Sequence, residues 1–275
     1  MRRLVLILAD GLRPDAVSPG LMPSLDSLGG AFTVAHRAHT VRPSATVAAL
    51  ASLATGVGPH THRLVEPGLG FLPGLGSLRP IARELARAGV ATDIVAPSLG
   101  AGALPIAWAL AAAAGTRQLV TGGARARDVA AAALERLNRR EDGMLFVYLA
   151  DCDRAGHAHG WMSDPYLAAA AEVDAAIGML SPVTDHSLLL VTADHGGGGV
   201  YSREHDEPHP VNDHIPLVLA GPRVARNHLV SRPVSILDIP ATILWWFGIE
   251  VPACYEGRPL AEAFERAHRP APLAV

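Results

Sequence analysis

Residues 187–199 read SLLLVTADHGGGG, and the arrangement of the rest of the chain follows from this stretch. Residues 188–191 are a short continuous apolar run, the pattern of a strand buried on both faces of a sheet. The run leads into Asp194-His195, followed at once by four glycines. Neighbouring side chains on a strand point to opposite faces. Asp194 and His195 can therefore meet at one point only where the chain leaves the strand, and glycine permits backbone angles that allow such a departure. A carboxylate and an imidazole beyond the carboxyl end of a buried strand suit a zinc-like cation. An ordinary strand end with a polar cap has the same local pattern, so the other strand ends decide between the two.

Outward from this stretch, strand-like runs at 4–9, 32–36, 90–96, 144–150 and 215–220 alternate with helical stretches at 23–28, 46–54, 81–88, 126–139, 165–180 and 235–247. Gly89 closes the helix at 81–88, and arginines in the last turn of 126–139 suit the helix dipole. The alternation predicts an α/β fold: a mostly parallel central sheet with helices on both faces, in a single domain spanning residues 1–275. In such sheets the site lies beyond the carboxyl ends of the strands. The loop at 67–80, PGLGFLPGLGSLRP, is long enough to form a substrate rim.

Composition narrows the function classes. The chain has 275 residues, 49% of them apolar, and a formal net charge of -3, which supports a sizeable core and offers no basic field for a nucleic-acid polymer. All 23 basic residues are arginine, which excludes a lysine Schiff base and a P-loop lysine. Cys152 and Cys254 are too few for a disulfide framework and fit a reducing compartment. The apolar run after Met1-Arg2-Arg3 stops at Asp10 with no small-residue cleavage site, so it reads as a strand, not a signal peptide. The most membrane-like segment, 99–115, is too short and too interrupted to span a bilayer. The expectation is a cytoplasmic protein with no membrane partner.

The strand ends carry matching equipment. Asp10-Gly11 follows the first strand, Asp151-Cys152-Asp153-Arg154-Ala155-Gly156-His157 follows the run at 144–150, and Asp194-His195 follows the central one. Further on lies a loop with His205, His209 and His214. Mixed carboxylates and imidazoles are ligands of zinc and similar cations, and there are more of them here than one tetrahedral ion needs. Two metals can clamp the attacking and leaving oxygens of an in-line phosphoryl displacement. Such a site needs a nucleophile. Thr46 stands where a loop meets a helix, whose N-terminus favours a phosphate, although the position by itself better suits an N-cap.

These residues resemble the alkaline phosphatase superfamily, close to its type I phosphodiesterase/nucleotide pyrophosphatase branch. Asp10-Gly11-Leu12-Arg13-Pro14-Asp15 resembles the DGxRxD opening. Thr46 precedes Gly56 of Ala54-Thr55-Gly56 by ten residues, as the nucleophile does in that branch, with Pro59 and His62 at its PxxH. Asp153 to His157 resembles DxxGH, and Thr192-Ala193-Asp194-His195-Gly196 resembles (T/S)xDHG. The segments IPLVLAGPRV and SILDIPATILWWFGIEVP, with Glu256-Gly257-Arg258-Pro259-Leu260, are similar to the end of a sulfatase-like core.

The resemblance implies an alkaline phosphatase-like three-layer sandwich and a two-metal phosphohydrolase. It assigns one ion to Asp10, Thr46, Asp194 and His195, and the other to Asp153, His157 and His205, with His209 as the alternative last ligand. It makes Thr46 the nucleophile that forms a phospho-threonine intermediate, with Ser44 two residues out of register. The implied ions are two divalent metals, zinc first, manganese or iron otherwise. The implied substrate is a small molecule with a phosphodiester or pyrophosphate bond. A phosphomonoesterase is the first rival, then a phosphotransferase or a sulfatase, and an inactive metal-binding fold is the rival of another class. The chain departs from the branch after Thr46, where Val47-Ala48-Ala49-Leu50 lacks the usual polar donor, leaving Arg13, Arg42 and the Thr46 N–H for the phosphoryl oxygen. The short stretch between Thr46 and Asp153 also leaves no room for a large inserted cap.

Overall fold

The apolar runs that lack alternation lie in the middle of one sheet. The computed structural model describes residues 2–65, 77–98, 103–139 and 142–265. In chain order its first half comprises β1 (Arg3–Ala9), α1 (Pro23–Ala31), β2 (Thr33–Ala35), β3 (Ala38–His39), α2 (Thr46–Thr55), α3 (Pro59–His62), α4 (Ile81–Arg87), β4 (Thr92–Ala96), α5 (Ala103–Ala113) and β5 (Gln118–Thr121). The second half comprises α6 (Ala126–Asn138), β6 (Gly143–Leu149), α7 (Asp151–His159), α8 (Asp164–Leu180), β7 (Leu188–Thr192), α9 (Pro210–Asp213), β8 (Leu217–Ala220), β9 (His228–Val230), β10 (Val234–Ser235) and α10 (Asp238–Phe247).

Eight strands form the main sheet in the order β5-β4-β6-β1-β7-β8-β2-β9. Every pairing from β5 across to β7 is parallel, and β8 runs against both of its neighbours. β10 and β3 pair separately. β1 is central because six of its seven residues are buried, which demands cover on both faces and a partner on both edges. Those partners are β6 and β7, with Leu6 opposite Phe146 on one side and Leu190 on the other. This common register brings the carboxyl ends of β6, β1 and β7 to one edge, where the strand order switches direction.

Two helix layers cover the sheet. α1, α6, α7 and α8 pack together on one side, while α2, α4 and α10 pack together on the other. Residues of β1, β4 and β6 that face the second layer, including Leu6, Ile94 and Phe146, line an apolar cavity of about 230 Å³ beneath α2 and α4. The expected three-layer α/β arrangement is therefore present, with a reversed strand near one edge. α2 starts at the site edge and stops at Gly56, which takes the left-handed conformation that closes a helix without a Cβ penalty.

Several elements depart from expectation. β5, β9 and the β3–β10 pair are too short to show periodicity, and three-dimensional pairing defines them. The segment after β6 is a helix, α7, to which the sequence pattern assigns no element. The rim loop expected at 67–80 falls mostly outside the described residues. Among those residues the apolar stretch of bilayer length is Asp164–Asp185, not 99–115. Its inward residues Tyr166, Ala170, Val173, Ala176, Ile177 and Leu180 are buried in the helix layer.

Candidate active site

At the switch edge the chain leaves β1 through Asp10 and turns at Gly11, which has φ +69°. A Cβ on Gly11 would sit 2.8 Å from Asp153 Cα, so glycine is what allows the first turn to press against α7. The Gly11 carbonyl accepts from both Trp161 Nε1 and Tyr166 Oη, each at 2.9 Å, and its N–H donates to Asp194 Oδ1 at 3.2 Å. The Asp153 N–H donates to the Asp10 carbonyl at 3.0 Å. One short turn thus ties together the ends of all three strands.

β7 ends at Thr192, so Asp194 and His195 lie beyond the strand and are freed from its alternation. The glycines that follow serve mainly close packing. Of the four, only Gly198 has a positive φ, whereas side chains at Gly197 and Gly198 would overlap Trp161 and one at Gly196 would overlap the Val211 carbonyl. The glycine run was expected to act through backbone freedom; the packing of the Trp161 ring into it is the larger reason.

Asp10, Asp194 and His195 are all buried and offer ligand atoms within 4.8 Å of one another. His195 Nδ1 is 2.7 Å from the Gly196 carbonyl, which places the proton there and leaves the Nε2 lone pair for the site. That Nε2 lies 3.4 Å from Asp10 Oδ1, 3.6 Å from Asp194 Oδ2 and 3.1 Å from Thr46 Oγ1. Thr46 is the first residue of α2; Ala45 holds the cap position and no side chain caps the helix, so the Thr46 hydroxyl does not serve as an N-cap. Ser44 has a different task. Its hydroxyl donates to the His205 carbonyl at 2.6 Å, and its own carbonyl faces His205 Nδ1 at 2.7 Å.

The second group forms on α7 and the loop after the glycines. Asp153 and His157 are one helical turn apart on the same face, with His157 Nε2 3.3 Å from Asp153 Oδ1. His205 Nε2 lies 3.9 Å from the same oxygen, and its ring stacks on His195 with centroids 3.8 Å apart. Asp153, His195 and His205 again hold ligand atoms within 4.8 Å, so His195 adjoins both groups. His209 caps α9 instead, its Nδ1 accepting from the Val211 N–H at 3.3 Å, and His214 is exposed. His62 is buried away from this edge, between Ser52 Oγ and the Leu64 N–H.

Charge at the site is uncompensated. Asp10 Oδ1, Asp153 Oδ1 and Asp194 Oδ2 are buried and have no hydrogen-bond partner. Burial, with help from the Asp194 charge, holds the Asp10 carboxyl well above its usual range, and burial pushes Asp194 up to about 7. Burial and the neighbouring His195 push His205 down. The nearby arginines do not answer these carboxylates. Arg13 pairs with Asp15 and donates to the Gly197 carbonyl, while Arg42 is exposed and pairs with Asp213. Three inward carboxylate oxygens and three imidazoles, with no arginine paired to those oxygens among the described residues, fit divalent metal ions.

Residues outside the recognised motifs complete the edge. Tyr148, the penultimate residue of β6, donates its hydroxyl to Asp10 Oδ2. A phenol inside an otherwise apolar strand needs a partner, and that was the available signal. Cys152 is fully buried, and burial raises its thiol pKa, so it is packed and inert. Asp151 turns away to accept from the Ala126 N–H at the start of α6.

Family models match two parts of the chain: the metalloenzyme superfamily over residues 110–251, and type I phosphodiesterase / nucleotide pyrophosphatase over residues 4–69. The chain is 30% identical over 146 residues to a 2,3-bisphosphoglycerate-independent phosphoglycerate mutase of Rhodopirellula baltica, covering 50% of this chain and 26% of that protein. It is 31% identical over 100 residues to arylsulfatase K of Xenopus laevis, covering 34% and 19%. A phosphopentomutase of Symbiobacterium thermophilum is 29% identical over 117 residues, covering 42% and 28%. The matched stretches therefore span about a quarter of the length of these relatives. Among solved structures, the fold is similar to a phosphonate monoester hydrolase from Silicibacter pomeroyi, with TM-score 0.73, 18% identity, and 98% of this chain and 78% of that one covered. It is also similar to a protein in the alkaline phosphatase superfamily from Vibrio parahaemolyticus, with TM-score 0.72, 19% identity, and coverage of 96% and 71%. The chain belongs to the metalloenzyme superfamily, whose members transfer phosphoryl and sulfuryl groups, and it has the fold of the alkaline phosphatase superfamily.

Proposed function

We propose that this protein is a two-metal phosphohydrolase that cleaves phosphodiester or pyrophosphate bonds of small molecules, with Thr46 as nucleophile. The observation that carries the reading is the position of Thr46 Oγ1, 3.1 Å from the His195 Nε2 that adjoins both ligand groups. Asp10, Asp194, His195 and Thr46 would hold one ion, and Asp153, His157 and His205 the other. Zinc suits this donor set. Divalent ions bound there supply Lewis acidity and lower the pKa of the hydroxyls they touch.

The residues of the chain do the rest. Thr46 Oγ1 attacks phosphorus; the new Oγ–P bond forms as the bond to the departing oxygen breaks, and the alcohol or phosphate leaves with a proton. Water then cleaves the Oγ–P bond and restores the threonine. As the first residue of α2, Thr46 has an N–H with no acceptor inside the helix, and this N–H would be the donor to a phosphoryl group attacked by its own hydroxyl. It takes the role for which Arg13 and Arg42, both engaged elsewhere, are unsuited. The preference for diesters rests on the match of residues 4–69 and on the engagement of Arg13 and Arg42 elsewhere, which leaves neither for a dianion. The test compares kcat/KM of zinc-loaded protein for bis(p-nitrophenyl) phosphate and p-nitrophenyl phosphate. A preference for the diester supports the reading, and a preference for the monoester overturns the diester part of it.

A further inference from the structure

We infer that Tyr148 is the positioning residue that makes Asp10 a one-oxygen metal ligand; the inference rests on the two-metal reading above. Leu8 stands opposite Tyr148 in the β1–β6 register, and Asp10 lies one pleat further along the same face of β1. The phenol therefore reaches Asp10 along a cross-strand diagonal. Its hydroxyl donates to Oδ2, while Oδ1 is buried, without a hydrogen-bond partner, and faces His195 Nε2 at 3.4 Å. The two oxygens of one carboxylate are thus divided: one is held by the fold and one is left for the site.

The division has a physical consequence. A free carboxylate rotates about its χ2 and can offer either oxygen or both. With Oδ2 held on the phenol, rotation costs a buried hydrogen bond, so Oδ1 stays on the side of Asp194 and His195. The backbone does not supply this constraint, because it fixes the Asp10 main chain through Leu149 and Asp153 but leaves the carboxylate unconstrained. Asp194 is held differently, through two backbone N–H groups on its Oδ1, those of Gly11 and His195. Tyr148 touches neither Asp153, His157 nor His205 through any hydrogen bond in the structure. Its hydrogen bonding is confined to a ligand of one of the two ions.

The experiment is a calorimetric zinc titration of the metal-free full chain, followed by cobalt absorption spectra, for the wild type, Tyr148→Phe and Phe146→Leu. Phe146 occupies the same face of β6 one pleat earlier and serves as the control for strand packing. Outer-shell partners of metal ligands typically contribute 10–100-fold in affinity. Tyr148→Phe is therefore expected to weaken one of the two binding steps about 10–100-fold, to leave the other within about twofold, and to change the cobalt spectrum of the weakened step alone. Phe146→Leu is expected to bind both ions as the wild type does. If the wild type binds two ions and Tyr148→Phe binds both equally well, the inference is wrong and the two-metal reading stands. If Phe146→Leu weakens the same step as Tyr148→Phe, the effect is one of packing and the inference is overturned. If the wild type binds no ion, both are wrong.

Discussion

Thr46 and Asp194 show how single side chains divide the work at this edge. Thr46 contributes one hydroxyl, and its replacement by alanine is expected to reduce kcat/KM for the diester by roughly 10³-fold or more, with serine restoring part of it. Asp194 contributes charge at a cost. Its carboxyl has a folded pKa raised to about 7 by burial, so in metal-free protein the charged form is the disfavoured one. A raised folded pKa in an acid means that its destabilising effect is absent below the unfolded value near 3.8, grows as pH rises, and is complete above about 7. Asp194→Asn keeps the Oδ1 acceptor for Gly11 and His195 while removing the charge. In EDTA at pH 8 it is expected to be more stable than the wild type by about 1–3 kcal/mol, and at pH 4 to show no gain. Urea unfolding at the two pH values measures this. Neither residue stood out by itself, since a polar strand end and an N-cap explain them equally simply; the other strand ends and the motif spacing to Thr55-Gly56 are what singled them out. Nothing singled out Tyr148: a phenol in an apolar strand signals that it needs a partner, but nothing local says that the partner is a ligand carboxylate.

At the scale of elements, α2, α7 and the glycine loop bring the two groups together. α7 places Asp153 and His157 on one face, and its helical state was missed because the stretch carries almost no apolar periodicity. Of its polar residues Asp153 and His157 serve the site, while Asp151 and Arg154 tie the helix to the start of α6. The glycine loop was noticed, yet its reason lay in Trp161, a residue far away in sequence whose ring fills the space. Gly197→Ala is accordingly expected to displace that ring, cost about 1–3 kcal/mol in urea unfolding and weaken zinc binding, whereas Gly20→Ala, with open space around it, is neutral. α2 is anchored at its other end by His62, whose ring sits between Ser52 and Leu64. Burial lowers its pKa, so the fold favours the neutral ring. The stability it contributes is present above the unfolded pKa near 6.5 and is lost as pH falls below it. The difference in urea midpoint between wild type and His62→Asn should therefore be larger at pH 8 than at pH 5.5.

The whole molecule was the most legible level. Uninterrupted apolar strands in β1, β6 and β7 require cover on both faces, and helices between them provide it, so the layered parallel sheet follows from patterning alone. The edge strands were not legible, since β9 and the β3–β10 pair exist only through partners distant in sequence. The sheet explains why the ligand groups converge: common register carries three strand ends to one edge. It also predicts a stability linked to metal. Zinc bound only by the folded state should raise the thermal midpoint in proportion to the logarithm of its concentration above Kd, and EDTA should reverse the rise. The central claim is that Thr46 becomes covalently bonded to phosphorus during turnover, and the most direct measurement is acid quenching of zinc-loaded protein during reaction with bis(p-nitrophenyl) phosphate, followed by peptide mass spectrometry. The account predicts one p-nitrophenyl phosphoryl group on the peptide that contains Thr46, and none in Thr46→Ala, whose turnover is greatly reduced. Turnover by Thr46→Ala at the wild-type rate, with no adduct on either protein, would contradict it.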